Sequence, residues 1–121
     1  MNWLAVAVAG AVGAVAPYGL GITIGVRSFP WATLSVNVSG SFALAFLLAG
    51  PMADRPSAPA TLAATVGFLG AFTTFSTFGY ETVALVRADR PAAAAAYVAA
   101  STALGLAGAA FGYWLGRLGA S

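Results

Sequence analysis

Residues 67–81 decide the fold, and they read Gly-Phe-Leu-Gly-Ala-Phe-Thr-Thr-Phe-Ser-Thr-Phe-Gly-Tyr-Glu. This stretch interrupts an apolar run with three glycines and with four hydroxyl side chains inside five residues. Irregular backbone at membrane depth persists only where it is buried in protein or lines a wet cavity. We therefore expect a membrane helix that is broken near Gly70 to Thr73. The alternative is a hydroxyl-rich helix that is simply well packed.

The composition of the whole chain is that of a membrane protein. Of its 121 residues 60% are hydrophobic and only 7% are charged, whereas soluble domains have about a quarter charged residues. The absence of Cys and His excludes a disulfide framework, thiolate or imidazole metal sites, and catalysis by a Cys nucleophile or a His base. A net charge of +2 from scattered arginines is no nucleic-acid footprint. We expect a membrane protein that is neither an enzyme nor a nucleic-acid binder.

The positions of the charges indicate how many times the chain crosses the membrane. Uncharged runs of 25 or 26 residues cover 1–26, 28–53, 56–80 and 91–116. A helix needs about 20 apolar residues to cross a hydrocarbon core of roughly 30 Å. We predict an all-α integral membrane protein, one domain over residues 1–121, with four transmembrane helices near 2–26, 31–50, 60–87 and 91–117.

The arginines barely bias the orientation of the chain. Four spans place the termini and the loop 51–60 on one side, with Arg55 and Arg117, and the other two links on the opposite side, with Arg27, Arg87 and Arg90. This difference of one gives almost no positive-inside signal. One interpretation is a weakly biased protein that still inserts one way. The other is dual topology, in which antiparallel copies pair and create the inverted repeat of larger transporters.

One polar face is predicted on the second helix. Thr33, Asn37 and Ser41 recur every four residues, so they share a face. Hydroxyls can bond to a carbonyl of their own helix, but the amide of Asn37 needs partners inside a bilayer. It serves either as an interhelical link worth about 1 kcal/mol or as a group that lines a pore.

Phe75 and Phe78 lie three residues apart and share a face of the third helix. Such a pair usually packs or contacts lipid. Its ring edges are electropositive, however, so they can also face a small anion. A conducting site must bind an ion strongly enough to admit it and weakly enough to release it. Neutral donors such as ring edges, hydroxyls and an Asn amide meet that demand better than a buried arginine.

The fourth helix combines two hydroxyls with a stripe of small residues. Tyr97 and Ser101 are followed at spacings of three or four by Gly105, Gly108, Gly112 and Gly116. Close helix packing explains the glycines, while the two hydroxyls can add to a polar track. Glu81 is the only carboxylate inside a span, and it either faces a vestibule or pairs with an arginine near the helix end.

Three segments resemble the small fluoride channels of the CrcB or Fluc family. Residues 33–42, Thr-Leu-Ser-Val-Asn-Val-Ser-Gly-Ser-Phe, are similar to the family's Thr-Leu-x-Val-Asn-x-x-Gly-Ser-Phe. Residues 67–78 are similar to its Gly-Phe-x-Gly-Gly-x-Thr-Thr-Phe-Ser-Thr-Phe, and Glu81 follows. Gly13-Ala14 with Tyr18 resembles the first-helix Gly-Ala-x-x-Arg-Tyr. Length and number of spans agree over the whole chain.

The resemblance implies a passive, fluoride-selective channel that exports fluoride from the cytoplasm across the inner (plasma) membrane. It implies an antiparallel, dual-topology dimer with two narrow pores. Phe75 and Phe78 would be the ring-edge ligands of fluoride, and Asn37 would be the polar group in the pore.

The resemblance also implies further pore residues and a structural ion. Ser76 and Thr77 would add hydroxyls beside the rings, and Tyr97 and Ser101 would match the polar track of the fourth helix. The broken helices of two subunits would meet at the dimer centre and hold one sodium ion.

The sodium ligands implied by the resemblance are the backbone carbonyls of Gly70 and Thr73. Freed carbonyls would each cost several kcal/mol in hydrocarbon without a partner. Two from each chain make a four-oxygen site without a carboxylate, which suits a monovalent hard ion better than Ca²⁺.

Two positions depart from the family pattern. Pro17 stands where the family has Arg, and Ala71 replaces a glycine beside the sodium ligands. Some family members pair as two diverged paralogues, so this chain is either a homodimer or one half of a heterodimer. A noncatalytic membrane assembly subunit is a further alternative. A small multidrug exporter is disfavoured, because the uncharged run 1–26 lacks the carboxylate which that chemistry needs.

Overall fold

The described part of the chain is a bundle of long apolar helices. The computed structural model describes residues 2–24 and 28–120, and these contain no strand. The helices are α1 (Asn2–Ile24), α2 (Trp31–Ala49), α3 (Pro59–Leu62), a π-helical segment (Ala63–Leu69), α4 (Gly70–Phe72), α5 (Phe75–Arg87) and α6 (Pro91–Ala120). Four stretches are long and apolar enough to span a membrane, and the third runs from Pro59 to Arg87.

The predicted spans agree with these helices, apart from small shifts at their ends. The third span begins at Pro59, one residue before the predicted 60, and α6 continues to Ala120 beyond the predicted 117. The last two residues of the predicted first span, 25–26, lie outside the described residues. The described residues therefore contain four helical stretches that are long and apolar enough to span a membrane.

The third span is broken at Thr73 and Thr74. Both residues have extended backbones, with φ and ψ of −86° and 151° at Thr73 and of −146° and 113° at Thr74. Thr74 is the N-cap of α5, because its side-chain oxygen accepts a hydrogen bond from the amide of Thr77 at 3.2 Å, as Thr commonly does at this position. The interruption thus falls at the C-terminal end of the predicted interval, and Gly70 is itself helical.

Glycines let α6 lie directly on α2, and these two helices form the largest contact in the fold. A Cβ atom built on Gly112 would lie 2.3 Å from the carbonyl oxygen of Phe42, and one on Gly116 would lie 2.6 Å from that of Phe46. The predicted packing role of the small-residue stripe is therefore present in the structure.

A second close contact joins α1 to the π-helical segment. A Cβ atom on Gly13 would meet the carbonyl oxygen of Phe68 at 2.3 Å, and one on Gly67 would meet that of Val6 at 2.8 Å. Pro17 lies inside α1, which still runs as one helix. The outer face of α1 is apolar and exposed, with Trp3 at 88%.

The packing of α6 on α2 predicts that Gly112→Ala destabilises the protein. The added methyl group would overlap the Phe42 carbonyl, and such overpacking costs about 1–3 kcal/mol. We expect a lower midpoint of thermal unfolding for the purified protein in detergent. Gly119→Ala is the matched control, because a Cβ atom there meets nothing within 4 Å. Equal stability of the two variants would contradict the close backbone contact.

Candidate functional site: a polar cavity at the helix break

A cavity of about 350 Å³ lies beside the break in the third span. It is lined by α2, the third span and α6, and four of the seven predicted pore residues line it: Asn37, Phe75, Phe78 and Ser101. Gly70 and Thr73, the predicted sodium ligands, line it as well. No residue of its lining carries a formal charge. The cavity is thus an uncharged space whose wall combines polar groups with apolar side chains.

Asn37 binds the backbone of the break at two points. Its Nδ2 donates to the carbonyl oxygen of Thr74 at 3.1 Å, and its Oδ1 accepts from the amide of the same residue at 2.8 Å. The side chain thereby replaces the helical acceptor of the Thr74 amide and adds a donor to the Thr74 carbonyl. A side-chain amide has two N–H donors, so one remains beside the cavity after this pairing. Both interpretations of Asn37, an interhelical link and a group of the cavity wall, are compatible with this geometry.

The Asn37 pairing and the cap by Thr74 together redirect hydrogen bonds away from two carbonyls. In a regular helix the amide of Thr74 would donate to the carbonyl of Gly70, and that of Thr77 to the carbonyl of Thr73. Here the Thr74 amide donates to Asn37, and the Thr77 amide donates to the Thr74 hydroxyl. The carbonyls of Gly70 and Thr73 have therefore lost the amides that would donate to them in a regular helix. As uncharged oxygen ligands, these two carbonyls fit a hard monovalent cation.

The two phenylalanines differ in exposure. Their ring centroids lie 5.8 Å apart with planes tilted by 48°. Phe75 is 83% exposed, while Phe78 is half-buried and packs on Tyr97 at 5.0 Å. In the single chain the Phe75 side of this ring pair is therefore not covered by protein.

Ser101 has a buried oxygen whose hydroxyl has no hydrogen-bond partner within the described ranges. Two other helical serines bond to their own helix: Ser39 donates to the Ser35 carbonyl at 2.7 Å, and Ser41 to the Asn37 carbonyl at 2.7 Å. A buried hydroxyl without a partner is costly. Because Ser101 lines the cavity, its proton can be donated to an occupant of that space.

The other three predicted pore residues lie outside this cavity. Tyr97 is fully buried, and its hydroxyl donates to Oε1 of Glu81 at 3.0 Å. Thr77 lines a second cavity of about 550 Å³ between α1, α2 and the break, together with Glu81. Ser76 lies exposed on α5. The partner of Glu81 seen in the described structure is therefore a tyrosine hydroxyl.

Sequence reasoning missed two hydroxyls of the cavity wall, those of Thr65 and Thr102. The spacing of four between Thr65, Leu69 and Thr73 could have indicated that Thr65 shares their face, since residues four apart are neighbours on a helix. Nothing in the local pattern distinguishes Thr102 from a lipid-facing residue, because its place depends on how α6 packs.

Three relatives cover nearly the whole chain, and each is named fluoride-specific ion channel FluC. The protein of Rhodospirillum centenum is 46% identical over 110 residues, which are 87% of this chain and 86% of the relative. That of Methanopyrus kandleri is 46% identical over 121 residues, 93% of this chain and 92% of the relative. That of Geobacter sulfurreducens is 43% identical over 121 residues, 97% of this chain and 94% of the relative. These names describe ion channels and not enzymes.

The match to a protein family also covers most of the chain. Residues 4–113 match the family described as CrcB-like protein, Camphor Resistance (CrcB). The resemblance inferred from residues 33–42 and 67–78 is thereby confirmed. With most of its length matched and with relatives above 40% identity, the chain belongs to the CrcB family.

Proposed function

We propose that the protein is a passive, fluoride-selective channel that lets fluoride leave the cytoplasm through the inner (plasma) membrane. The observation that carries the proposal is the uncharged cavity at the helix break, where the Asn37 amide, the Ser101 hydroxyl and the Phe75 and Phe78 rings line one space. The names of the relatives support the choice of fluoride.

The chemistry of this cavity suits conduction of an anion. Its donors are N–H, O–H and ring-edge C–H groups, which attract an anion without a full charge. A buried arginine would bind fluoride and hold it, whereas neutral donors allow it to leave. No carboxylate lines the cavity either, so its wall carries no full negative charge that would repel an anion.

We place this function in an antiparallel dimer of dual topology with two pores. Three observations support a second copy against the open side of the cavity. Phe75 is 83% exposed, the cavity is lined by one chain on only part of its circumference, and the arginines give almost no orientation bias. A partner chain would complete the wall that the single chain leaves open.

We further propose that the dimer holds one structural sodium ion. The carbonyls of Gly70 and Thr73 would hold it, because both have lost their helical donors. The ion would supply positive charge that compensates these carbonyls within the membrane. Ala71 adds only a methyl group beside them and leaves both carbonyls unchanged.

A second candidate is one half of a heterodimeric fluoride channel. Pro17 lines the 550 Å³ cavity together with Glu81, at the position where the resemblance has Arg. A paralogous subunit that retains this arginine would restore the missing positive group. The orientation of the wild-type chain in the membrane separates the two candidates.

The ring-edge assignment predicts that Phe75→Ile and Phe78→Ile abolish most fluoride efflux from liposomes. Isoleucine keeps apolar bulk and removes the electropositive edge, so the dimer should persist while flux falls at least about tenfold, the effect of 1.4 kcal/mol on a barrier. Fluoride and chloride electrodes measure efflux, and chloride efflux should be small throughout. Phe111→Ile is the control, because Phe111 packs on Phe42 and Trp114 away from the cavity. Wild-type flux in both variants would refute the role of the rings.

The Ser101 hydroxyl predicts a second loss of flux. Ser101→Ala should lower fluoride efflux about tenfold, since a hydrogen bond to a charged group is worth about 1.5–3 kcal/mol. Ser39→Ala is the matched control, because that hydroxyl already donates to its own helix. If both variants behave alike in the same assay, Ser101 does not contact the ion.

The proposed dual topology predicts mixed orientation in the membrane. Two lysines added to the loop 51–60 should orient the chain one way and lower activity when the variant is expressed alone. Co-expression with an oppositely biased copy should restore activity. Labelling of single cysteines introduced into the loop measures orientation. A uniform orientation of the wild-type chain would contradict the homodimer and favour the paralogue pair.

A further inference from the structure

Phe29 lies outside the candidate site but contacts a residue that supports it. It is half-buried in the link between α1 and α2. Its ring centroid lies 5.5 Å from that of Tyr97, and the ring planes are nearly perpendicular at 81°. Tyr97 in turn packs on Phe78 at 5.0 Å, and Phe78 lines the cavity. One continuous aromatic contact therefore runs from the link to the cavity wall.

Tyr97 is packed so tightly that a change at Phe29 can reach Phe78 through its ring. Its side chain is fully buried, with Leu34, Leu85 and Ala94 in the same core cluster. Its hydroxyl donates to Glu81 at 3.0 Å. Protein interiors are close-packed, and side chains there do not shift freely. The ring of Phe78 therefore packs on the Tyr97 ring, whose orientation Phe29 and Glu81 help to fix.

The backbone of Phe29 is anchored as well. Its carbonyl accepts a hydrogen bond from the amide of Trp31 at 2.9 Å, and the Trp31 ring contacts the Phe29 ring at 4.7 Å. The carbonyl of the preceding residue, Ser28, accepts from the guanidinium of Arg90, which immediately precedes α6. The link is thus tied to the residue that leads into the helix carrying Tyr97.

We infer that Phe29 is a positioning residue for the ion pathway: it fixes the ring of Tyr97 and, through it, the angle at which Phe78 presents its ring edge to the cavity. The role of that angle in fluoride passage rests on the proposed function. The placement of the Phe78 ring does not rest on it. Phe29 itself is expected to have no contact with the ion.

The test separates ring placement from ion flux. 4-Fluorophenylalanine is incorporated at position 78 of the full-length protein, and its ¹⁹F resonance reports the surroundings of that ring. Phe29→Leu keeps apolar bulk and removes the aromatic contact. We expect it to shift the ¹⁹F resonance and, in unlabelled protein, to lower fluoride efflux between about two- and tenfold, as expected for one aromatic pair. Phe29→Tyr keeps the ring and should retain both wild-type values.

Two controls exclude a general loss of stability. Phe46→Leu removes an aromatic from the stacked Phe42–Phe46 pair and should change neither the resonance nor the flux. In a Tyr97→Leu background, Phe29→Leu should add no further change, because the intermediary is gone. If Phe29→Leu does not fold, Phe29→Met replaces it, since methionine fills irregular space without a ring.

The outcomes are distinguishable. An unchanged ¹⁹F resonance in Phe29→Leu overturns the inference, whether or not flux falls. A shifted resonance with wild-type flux also overturns it, because the ring angle then has no influence on passage. If the wild-type protein passes no fluoride, the proposed function fails, and the resonance alone decides whether Phe29 positions Phe78.

Discussion

The pairing of the Asn37 side chain with the backbone of Thr74 is the interaction on which the rest of the site depends. The bond of 2.8 Å gives the Thr74 amide a substitute for its helical acceptor, and the bond of 3.1 Å adds a donor to the Thr74 carbonyl. In hydrocarbon an unpaired peptide group costs several kcal/mol, so an extended residue at this depth needs such a substitute. The pairing therefore permits the break, the cavity beside it and the redirected carbonyls together.

The cavity and the glycine contacts divide the fold into two kinds of region. Where α6 lies on α2, glycines bring backbone against backbone and leave no space. Beside the break, the same two helices carry Asn37 and Ser101, and space remains. Both regions use neutral residues only. The selectivity of the proposed channel would therefore come from dipoles and ring edges that close-packed helices hold in place.

Charge spacing and composition were sufficient to predict the four spans, because each needs only length and apolar character. The glycines and the hydroxyl cluster of residues 67–81 predicted the break to within a few residues, yet Thr74 rather than a glycine marks it, since N-capping by Thr74 decides where α5 begins. The π-helical segment at 63–69 was not predicted. It has no residue signature of its own and packs closely on α1 through Gly13 and Gly67. The bond from Tyr97 to Glu81 joins residues sixteen apart on two helices, so it depends on packing that local patterns do not contain.

The order of assembly follows from the Asn37 pairing. An isolated span from Pro59 to Arg87 in lipid has no side chain of α2 to receive the peptide groups of Thr74. Its conformation of lowest free energy is then a continuous helix, in which every interior peptide group forms its hydrogen bonds within the helix. Residues 73–74 can become extended only when α2 packs against this span. We therefore expect the broken helix to form late in folding, when helices that have already inserted dock against each other.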